Sequence, residues 1–186
     1  MVYYRKKIFL TTGVLSGLFM GIVDSLEYGI VYGIVSGIIS GFIFGGIMAI
    51  VLGNMHRKSV KLLLRGENSP GNFEESLGVC HVRNLEIDLP FDEVFNLCID
   101  SLELIKKCKV MKEDRVLGNI IAKAGMTRKT WGDLITFNLR KNRDGRILIE
   151  LSSRPSWSLT VVDFGKNLEN IEIIVNYIKI KSGKAV

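Results

Sequence analysis

Residues able to do chemistry are few in this sequence, and their spacing assembles no catalytic centre. Cys80 and His81 are adjacent, so on a strand they point to opposite faces and cannot pair as nucleophile and base. The run DFGK at residues 163–166 has the letters of the kinase magnesium motif, but no glycine-rich loop, strand lysine or catalytic loop precedes it. We therefore predict that the chain is not an enzyme and has no catalytic residue.

Metal-ligating residue types are also scarce. The cysteines are Cys80, Cys98 and Cys108, at spacings that match no zinc or redox motif, and the histidines are His56 and His81. Cysteines without a motif are typical of small buried residues in a reducing compartment. We predict no metal site and no cofactor.

One stretch, SSRPSW at residues 152–157, leaves a binding role open. It combines polar residues with Trp157, which either contacts a ligand or partner or anchors its own loop. The other tryptophan, Trp131, opens a predicted strand, and we expect it in the core or at the rim of the sheet.

The elements that position these residues begin with a strongly apolar segment, residues 8–53, in which the only charged side chains are Asp24 and Glu27. As helices, residues 8–23 and 29–52 would extend about 24 and 36 Å, against about 30 Å for the hydrocarbon core of a bilayer. Because two carboxylates at mid-bilayer would each cost about 2.5–3.5 kcal/mol, the chain must turn beside them. We predict a transmembrane helical hairpin over residues 1–53.

Basic residues flank this hairpin at both ends, while its turn is acidic. The positive-inside rule then predicts a multi-pass protein of the cell membrane with both termini in the cytoplasm. We predict that its basic residues contact membrane lipid: Arg5, Lys6, Lys7, Arg57, Lys58, Lys61 and Arg65. The net charge of +6 arises mostly from these flanks, so the rest of the chain lacks the basic excess that a nucleic-acid partner would require.

Residues 54–78 are predicted to form a basic juxtamembrane segment and a linker. The sequence NMHRKSVKLLLRG, at 54–66, either lies along the lipid headgroups or continues the second span as a plain helix. The sequence GENSPGN, at 66–72, has the composition of a linker.

Glycine recurs at every fourth position along much of the apolar segment. Helices in lipid associate through close backbone approach, which small residues at this spacing permit. A repeat of four drifts by about 40° per step around a helix of 3.6 residues per turn, so one straight partner helix cannot cover the whole row. We predict that the row packs partly within the hairpin and partly against a second copy in a homo-oligomer, through Gly13, Gly17, Gly21, Gly29, Gly33, Gly37, Gly41 and Gly45. The alternatives are glycines without a special contact and an oligomeric pore.

Residues 79–186 are predicted to be a cytoplasmic α+β domain with the order β-α-β-β-β-β-α and an antiparallel sheet packed on one face by helices. The predicted strands cover residues 79–89, 116–124, 131–140, 146–154 and 158–164. The predicted helices lie within residues 91–105 and 165–181, the second with Asn167 as its N-cap.

Two stretches of this domain carry a resemblance that covers about residues 79–180. A strand ending in proline, then FDEVF, several meandering strands and a C-terminal helix resembles the helix-grip arrangement of START-type lipid-binding domains. The run SSRPSWSLTVVDFGKN followed by NIEIIVNYI resembles the closing segment of uncharacterised bacterial membrane-anchored proteins. The first resemblance implies an apolar ligand between sheet and helix, and the second implies no known activity.

Together these features favour a non-enzymatic integral membrane protein that self-associates through its helices and presents a cytoplasmic interaction domain. The main alternative is a membrane-anchored module of helix-grip type that binds or senses a lipid or another apolar ligand.

Overall fold

The computed structural model describes residues 2–65 and 73–183 of the chain. It forms two compact units, residues 1–77 and residues 78–186.

The first unit is built from two long helices. Helix α1 spans Val2–Tyr28 and helix α2 spans Ile30–Arg65, and Gly29 between them has a φ of +93°, a backbone conformation that glycine adopts without strain. Both helices are long and apolar enough to cross a membrane, over Tyr4–Tyr28 and Ile30–Leu64.

Helix α2 continues well past the predicted end of the second span at residue 52. Its 36 residues correspond to about 54 Å, so the basic segment after residue 53 is a plain helical extension, as one of the two interpretations expected. Residues 73–77 then return to this extension: the backbone oxygen of Leu77 lies 3.0 Å from Nε2 of His56, and the Arg57 guanidinium lies 5.4 Å from the centre of the Phe73 ring.

The second unit is an α+β domain. Its elements are β1 (His81–Ile87), α3 (Phe91–Glu103), β2 (Cys108–Asp114), β3 (Asn119–Ala124), β4 (Asp133–Lys141), β5 (Ile147–Pro155) and α4 (Lys166–Lys181). The five strands form one antiparallel sheet in the order β1-β5-β4-β3-β2. This confirms the predicted fold class: two apolar helices followed by a small β-α-β-β-β-β-α domain.

The predicted order of elements is right, but one predicted strand is not a strand and one observed strand was not predicted. Residues 158–164 are not a strand, because the chain turns there from β5 into α4, with Thr160 N–H donating to the Trp157 carbonyl at 3.1 Å and Phe164 at a φ of +51°. The missing strand is β2, an edge strand whose side chains are mostly exposed. Because neither face of β2 is buried, its sequence lacks the apolar alternation that predicts a strand.

The core of the domain lies between one face of the sheet and the two helices. Strands β4 and β5 alternate buried and half-buried residues along their length, as expected for a sheet covered on one side. Buried side chains from the sheet, α3 and α4 form a single cluster that includes Phe95, Phe137, Ile149, Ile171 and Ile174.

Candidate functional site

The glycines of the hairpin lie where the two helices approach each other. A Cβ atom added to Gly17 would come within 2.8 Å of the Gly37 carbonyl oxygen, and one added to Gly41 within 2.8 Å of the Gly13 carbonyl oxygen. Real Cβ atoms do not approach backbone so closely, so the helices pack here only because side chains are missing. Gly21 meets Gly33 in the same way, with 3.2 Å from its added Cβ to the Gly33 carbonyl oxygen.

Helix α1 covers the glycine row of α2 from Gly33 to Gly45, and a Cβ atom added to Gly45, at the far end of that row, would lie 2.9 Å from the Phe9 carbonyl oxygen. The expectation that one helix cannot cover the row was therefore wrong, and a second copy is not needed for it. Rows of residues four apart run at about 26° to a helix axis, so two such rows can follow each other when the helices cross. Gly29 does not pack on either helix: nothing lies within 4 Å of its added Cβ, since it forms the turn.

The open ends of the two helices are held in register by polar contacts. The Tyr4 hydroxyl donates to the Gly53 carbonyl oxygen at 3.0 Å, and the Arg5 guanidinium donates to Oδ1 of Asn54 at 2.6 Å. The predicted lipid-contacting residues therefore lie at one end of the hairpin, with Asp24 and Glu27 beside its turn at the other. The side chain of Arg65 lies outside the described residues.

An apolar groove follows the glycine contacts along one side of the hairpin. Glycines from both helices line it, and ridges of larger side chains flank them: Leu10, Val14, Leu18 and Ile22 from α1, and Ile34, Ile38 and Phe42 from α2.

The α+β domain contains a second feature, a closed ring of hydrogen bonds among four buried polar side chains. The Asn167 and Asn170 amides donate to the two carboxylate oxygens of Asp133, at 3.3 and 3.1 Å. The Ser153 hydroxyl donates to Oδ1 of Asn167 at 2.7 Å and accepts from the Asn170 amide at 3.4 Å. All four side chains are fully buried, so the ring fixes β4, β5 and α4 to one another. We call these four residues the polar ring.

A second buried carboxylate, Asp163, connects the polar ring to the start of α4. It accepts from the backbone N–H of Gly165 at 3.0 Å and from the backbone N–H of Asn167 at 2.9 Å, and the Asn167 amide donates to it at 3.0 Å. Asn167 was predicted as the N-cap, but Gly165 holds that position and the helix begins at Lys166, two residues earlier than predicted. Asp163 supplies the oxygens that accept from the free N–H groups. The Asn167 side chain is thereby free to join the polar ring.

The charge state of the polar ring is set by opposing effects at Asp133. Burial raises the pKa of this carboxyl and nearby Asp163 adds to that, while hydrogen bonds from Asn170 and Thr130 and the charge of Lys166 lower it, with a net rise above the usual range. The described residues contain no group of three or more His, Cys, Asp and Glu side chains that could hold a metal ion.

Both tryptophans lie at the end of the sheet that carries the polar ring. Trp131 and Trp157 are 68% and 54% exposed and stack edge to face with ring centres 6.4 Å apart. The sequence expectation for Trp131, core or sheet rim, holds only for the rim, and Trp157 does not bury itself to anchor its loop. The open question of a binding role for SSRPSW now includes Trp131 as well as Trp157. The contact between the two tryptophans could not be predicted from the sequence, because it depends on the register of β4 and β5.

The cysteines behave differently from one another. Cys98 is buried, and burial raises the pKa of its thiol, whereas Cys108 is half-buried and Cys80 is exposed. The prediction of small buried residues therefore holds for Cys98 and is wrong for Cys80.

Comparison with known proteins adds little to this description. No protein-family model and no curated protein matches the chain. Among solved structures, the crystal structure of Ara h 8.0201 is similar to it, with 12% sequence identity and a TM-score of 0.34, over 53% of this chain and 97% of that one. A likeness of this strength carries no argument about what the domain binds, and the helix-grip resemblance of residues 79–180 stays a resemblance in the order of elements.

Proposed function

We propose that the chain is a non-enzymatic integral membrane protein whose hairpin crosses the cell membrane twice and presents the α+β domain in the cytoplasm as an interaction module. The observation that carries the proposal is the exposure of the apolar helices. In the most apolar stretch of each helix, only 11% and 22% of residues are buried, whereas an apolar helix in the core of a soluble protein is buried all round. Side chains such as Leu26, Ile30 and Val31 are more than two-thirds exposed, and lipid would cover them.

The charge distribution supports the orientation. Tyr4 and Arg5 lie level with Gly53 and Asn54, so the basic clusters of both helices belong to one side of the bilayer. Since cytoplasmic segments carry the excess of Lys and Arg, that side is the cytoplasm.

Self-association stays a prediction. The contacts of the glycine row with α1 do not require it, and a second copy would use the apolar groove that glycines of both helices line. A water-filled pore has less support, since the hydroxyls of Thr12, Ser36 and Ser40 donate to carbonyl oxygens of their own helices.

The alternative of an apolar ligand held between the sheet and α4 also loses support. Side chains of the core cluster already pack in that space: Ile149 and Leu151 of β5 and Ile171 and Ile174 of α4 are fully buried. A ligand there would have to displace close-packed side chains.

Membrane extraction together with thiol labelling tests the proposal. We expect the full chain to stay with the membrane at alkaline pH, and Cys80, the exposed cysteine of the domain, to react with an impermeant maleimide only after cells are opened. In the variant Glu27→Cys, the new thiol at the hairpin turn should react in intact cells. Release of the chain at alkaline pH, or labelling of Cys80 in intact cells, would contradict the proposal.

A further inference from the structure

We infer that the α+β domain docks back onto the bilayer in which the hairpin sits, through the end of the sheet that carries Trp131 and Trp157. This inference rests on the proposed membrane anchoring and adds a second, peripheral contact with anionic lipid. We call this surface the tryptophan end; it comprises the loops 104–107, 125–132 and 156–165.

The topology places the tether at this end. Strand β1 begins at His81, which pairs with Ser153 near the end of β5, and Asp133 at the start of β4 pairs with Pro155. The chain arriving from the hairpin therefore enters the domain beside the loops that carry the tryptophans. A domain tethered at one end presents that end to the membrane with the smallest loss of chain freedom.

The exposed apolar side chains on these loops suit the interface of a bilayer. Besides the tryptophans, Met126 and Leu159 are 59% and 69% exposed on the same two loops. Tryptophan is enriched at membrane interfaces, because its ring is apolar and its N–H can stay hydrated. The two rings contact each other but stay more than half exposed, so they leave apolar surface in water that a bilayer interface would cover.

The two loops are held in a fixed arrangement. Ser156 N–H donates to the Gly132 carbonyl oxygen at 2.9 Å, and Thr127 closes its own loop by accepting from the backbone N–H groups of Lys129 and Thr130, both at 3.1 Å. The polar ring lies directly beneath, through Asp133 and Ser153. A surface fixed in this way loses little entropy on binding.

The charge of this end favours an anionic surface. The three loops carry Lys106, Lys107, Arg128 and Lys129, all exposed, and their single acid, Asp163, is fully buried. Next to the loops, Arg154 adds an exposed positive charge at the end of β5 and Glu103 an exposed negative charge at the end of α3. Lys129 is paired with Glu169 at 2.9 Å, and the remaining cations can face lipid phosphates.

The opposite end of the sheet lacks this combination. Its loops carry exposed Val116 and Leu117 but no aromatic residue, and Arg143 stands next to Asp144 in the turn between β4 and β5. Membrane contact is therefore assigned to one end of the domain, and the other provides matched controls.

Tryptophan fluorescence of the full chain in nanodiscs tests the inference, because the chain contains only two tryptophans and both lie at this end. The nanodiscs contain phosphatidylcholine and phosphatidylglycerol, with or without bromine on the acyl chains, a quencher that acts only near contact. We expect brominated lipid to lower the emission roughly twofold, as for tryptophan at the interface. Trp131→Phe and Trp157→Phe, each leaving one tryptophan, should both retain the quenching.

Charge variants separate the electrostatic part. The pair Arg128→Gln and Arg154→Gln should lower the quenching by about half in anionic nanodiscs, while the matched pair Lys141→Gln and Arg143→Gln at the opposite end should leave it unchanged.

The other outcomes overturn the inference in distinguishable ways. Failure of the chain to co-elute with the nanodisc would overturn the anchoring and the docking together. Co-elution with emission that iodide quenches and brominated lipid does not would overturn the docking alone. Emission shielded from both quenchers would mean that a second copy or another protein, and not lipid, covers the tryptophans.

Discussion

In the hairpin, two helices approach each other where side chains are missing, whereas in the α+β domain the elements are joined by side chains that fill the space between them. The Gly17 and Gly37 backbones touch across the hairpin, while Asn167 alone bridges Asp133, Asp163 and Ser153 inside the domain. The difference follows from the solvent expected for each unit. In lipid the hydrophobic effect does not drive helices together, so close backbone packing must supply the attraction. In water the burial of apolar side chains stabilises the fold, and a buried polar group without a hydrogen-bond partner destabilises it.

The largest expected effect is at the centre of the polar ring. Asn167→Ala would remove one hydrogen bond each from Asp133, Asp163 and Ser153, which keep their bonds to Asn170 or to backbone N–H groups. At about 1 kcal/mol per lost bond, the free energy of unfolding of the domain should fall by about 3 kcal/mol. Urea unfolding of the full chain in nanodiscs, followed by tryptophan emission, measures this. Lys123→Ala, at an exposed position of β3, is the control. A loss below about 1 kcal/mol would show that the ring does not hold the domain together.

The hairpin should be disrupted by adding a side chain, whereas the polar ring is disrupted by removing one. Gly37→Leu adds a side chain whose first atom would lie 2.7 Å from the Gly17 carbonyl oxygen, so the helices must separate, at a cost of about 1–3 kcal/mol. Gly46→Leu is the matched control, because an added Cβ there meets nothing within 4 Å. Cross-linking between cysteines placed on α1 and α2 reports the separation. Equal behaviour of the two variants would remove the glycine contact as the basis of hairpin packing.

The same pair of variants also tests self-association. If an oligomer forms through the groove, the control Gly46→Leu should keep its copy number while Gly37→Leu loses it together with the hairpin. Light scattering in detergent measures the copy number. An oligomer that survives Gly37→Leu would place the contact between copies elsewhere.

A smaller effect is expected from the acid–base behaviour of Asp133. Burial raises its pKa in the folded state, above the usual value of about 4 in the unfolded chain, so the folded state holds this proton more tightly. The stability from this group is fully present below about pH 4 and is lost as the pH rises through the folded pKa. Across that window the wild type should lose stability relative to Asp133→Asn, which has no proton to release.

The slope against pH is the measurement, since the added amide of Asp133→Asn faces donors and lowers stability at every pH. Urea unfolding at steps upward from pH 4 gives the slope, and Asp144→Asn in an exposed turn is the control. Parallel curves for the wild type and Asp133→Asn would contradict the prediction.

The smallest effect concerns the ion pair beside the tryptophan end. Burial by itself raises the pKa of Glu169, but hydrogen bonds and charge from Lys129 and Lys166 outweigh it and lower the pKa overall. Lys129→Met should therefore raise this pKa, seen by carboxyl NMR, and cost at most about 1 kcal/mol, because the pair is partly exposed. Lys141→Met is the control, and an unchanged Glu169 pKa would mean that Lys129 does not pair with it in solution.

The sequence predicted the elements well where each is governed by its own residues. The length and apolarity of the two stretches and the carboxylates between them predict two helices with a turn, since those properties are local. The strands β3, β4 and β5 were predicted from alternation, because one face of each is buried. The edge strand β2 was not predicted, because it has no buried face. Residues 158–164 were wrongly predicted as a strand, because their composition is typical of one.

The candidate site was harder to predict from the sequence, because it depends on which residues lie in contact in the fold. Asp133, Ser153, Asn167 and Asn170 are spread over 38 positions of the sequence and look like ordinary surface residues until the register of β4 and β5 aligns them under α4. The glycine spacing predicted a contact face but not its partner, since periodicity identifies the side of a helix and not the surface that covers it.

The sequence by itself determined that this protein has an apolar helical hairpin, a basic flank at each open end and an α+β domain, because hydropathy, charge and periodicity are properties of single segments. Only the tertiary structure decided that the glycine rows cover each other within one chain, that four polar residues close a buried ring, and that two tryptophans share one exposed end. Those facts depend on distances between residues far apart in the chain, which are fixed by how the elements pack.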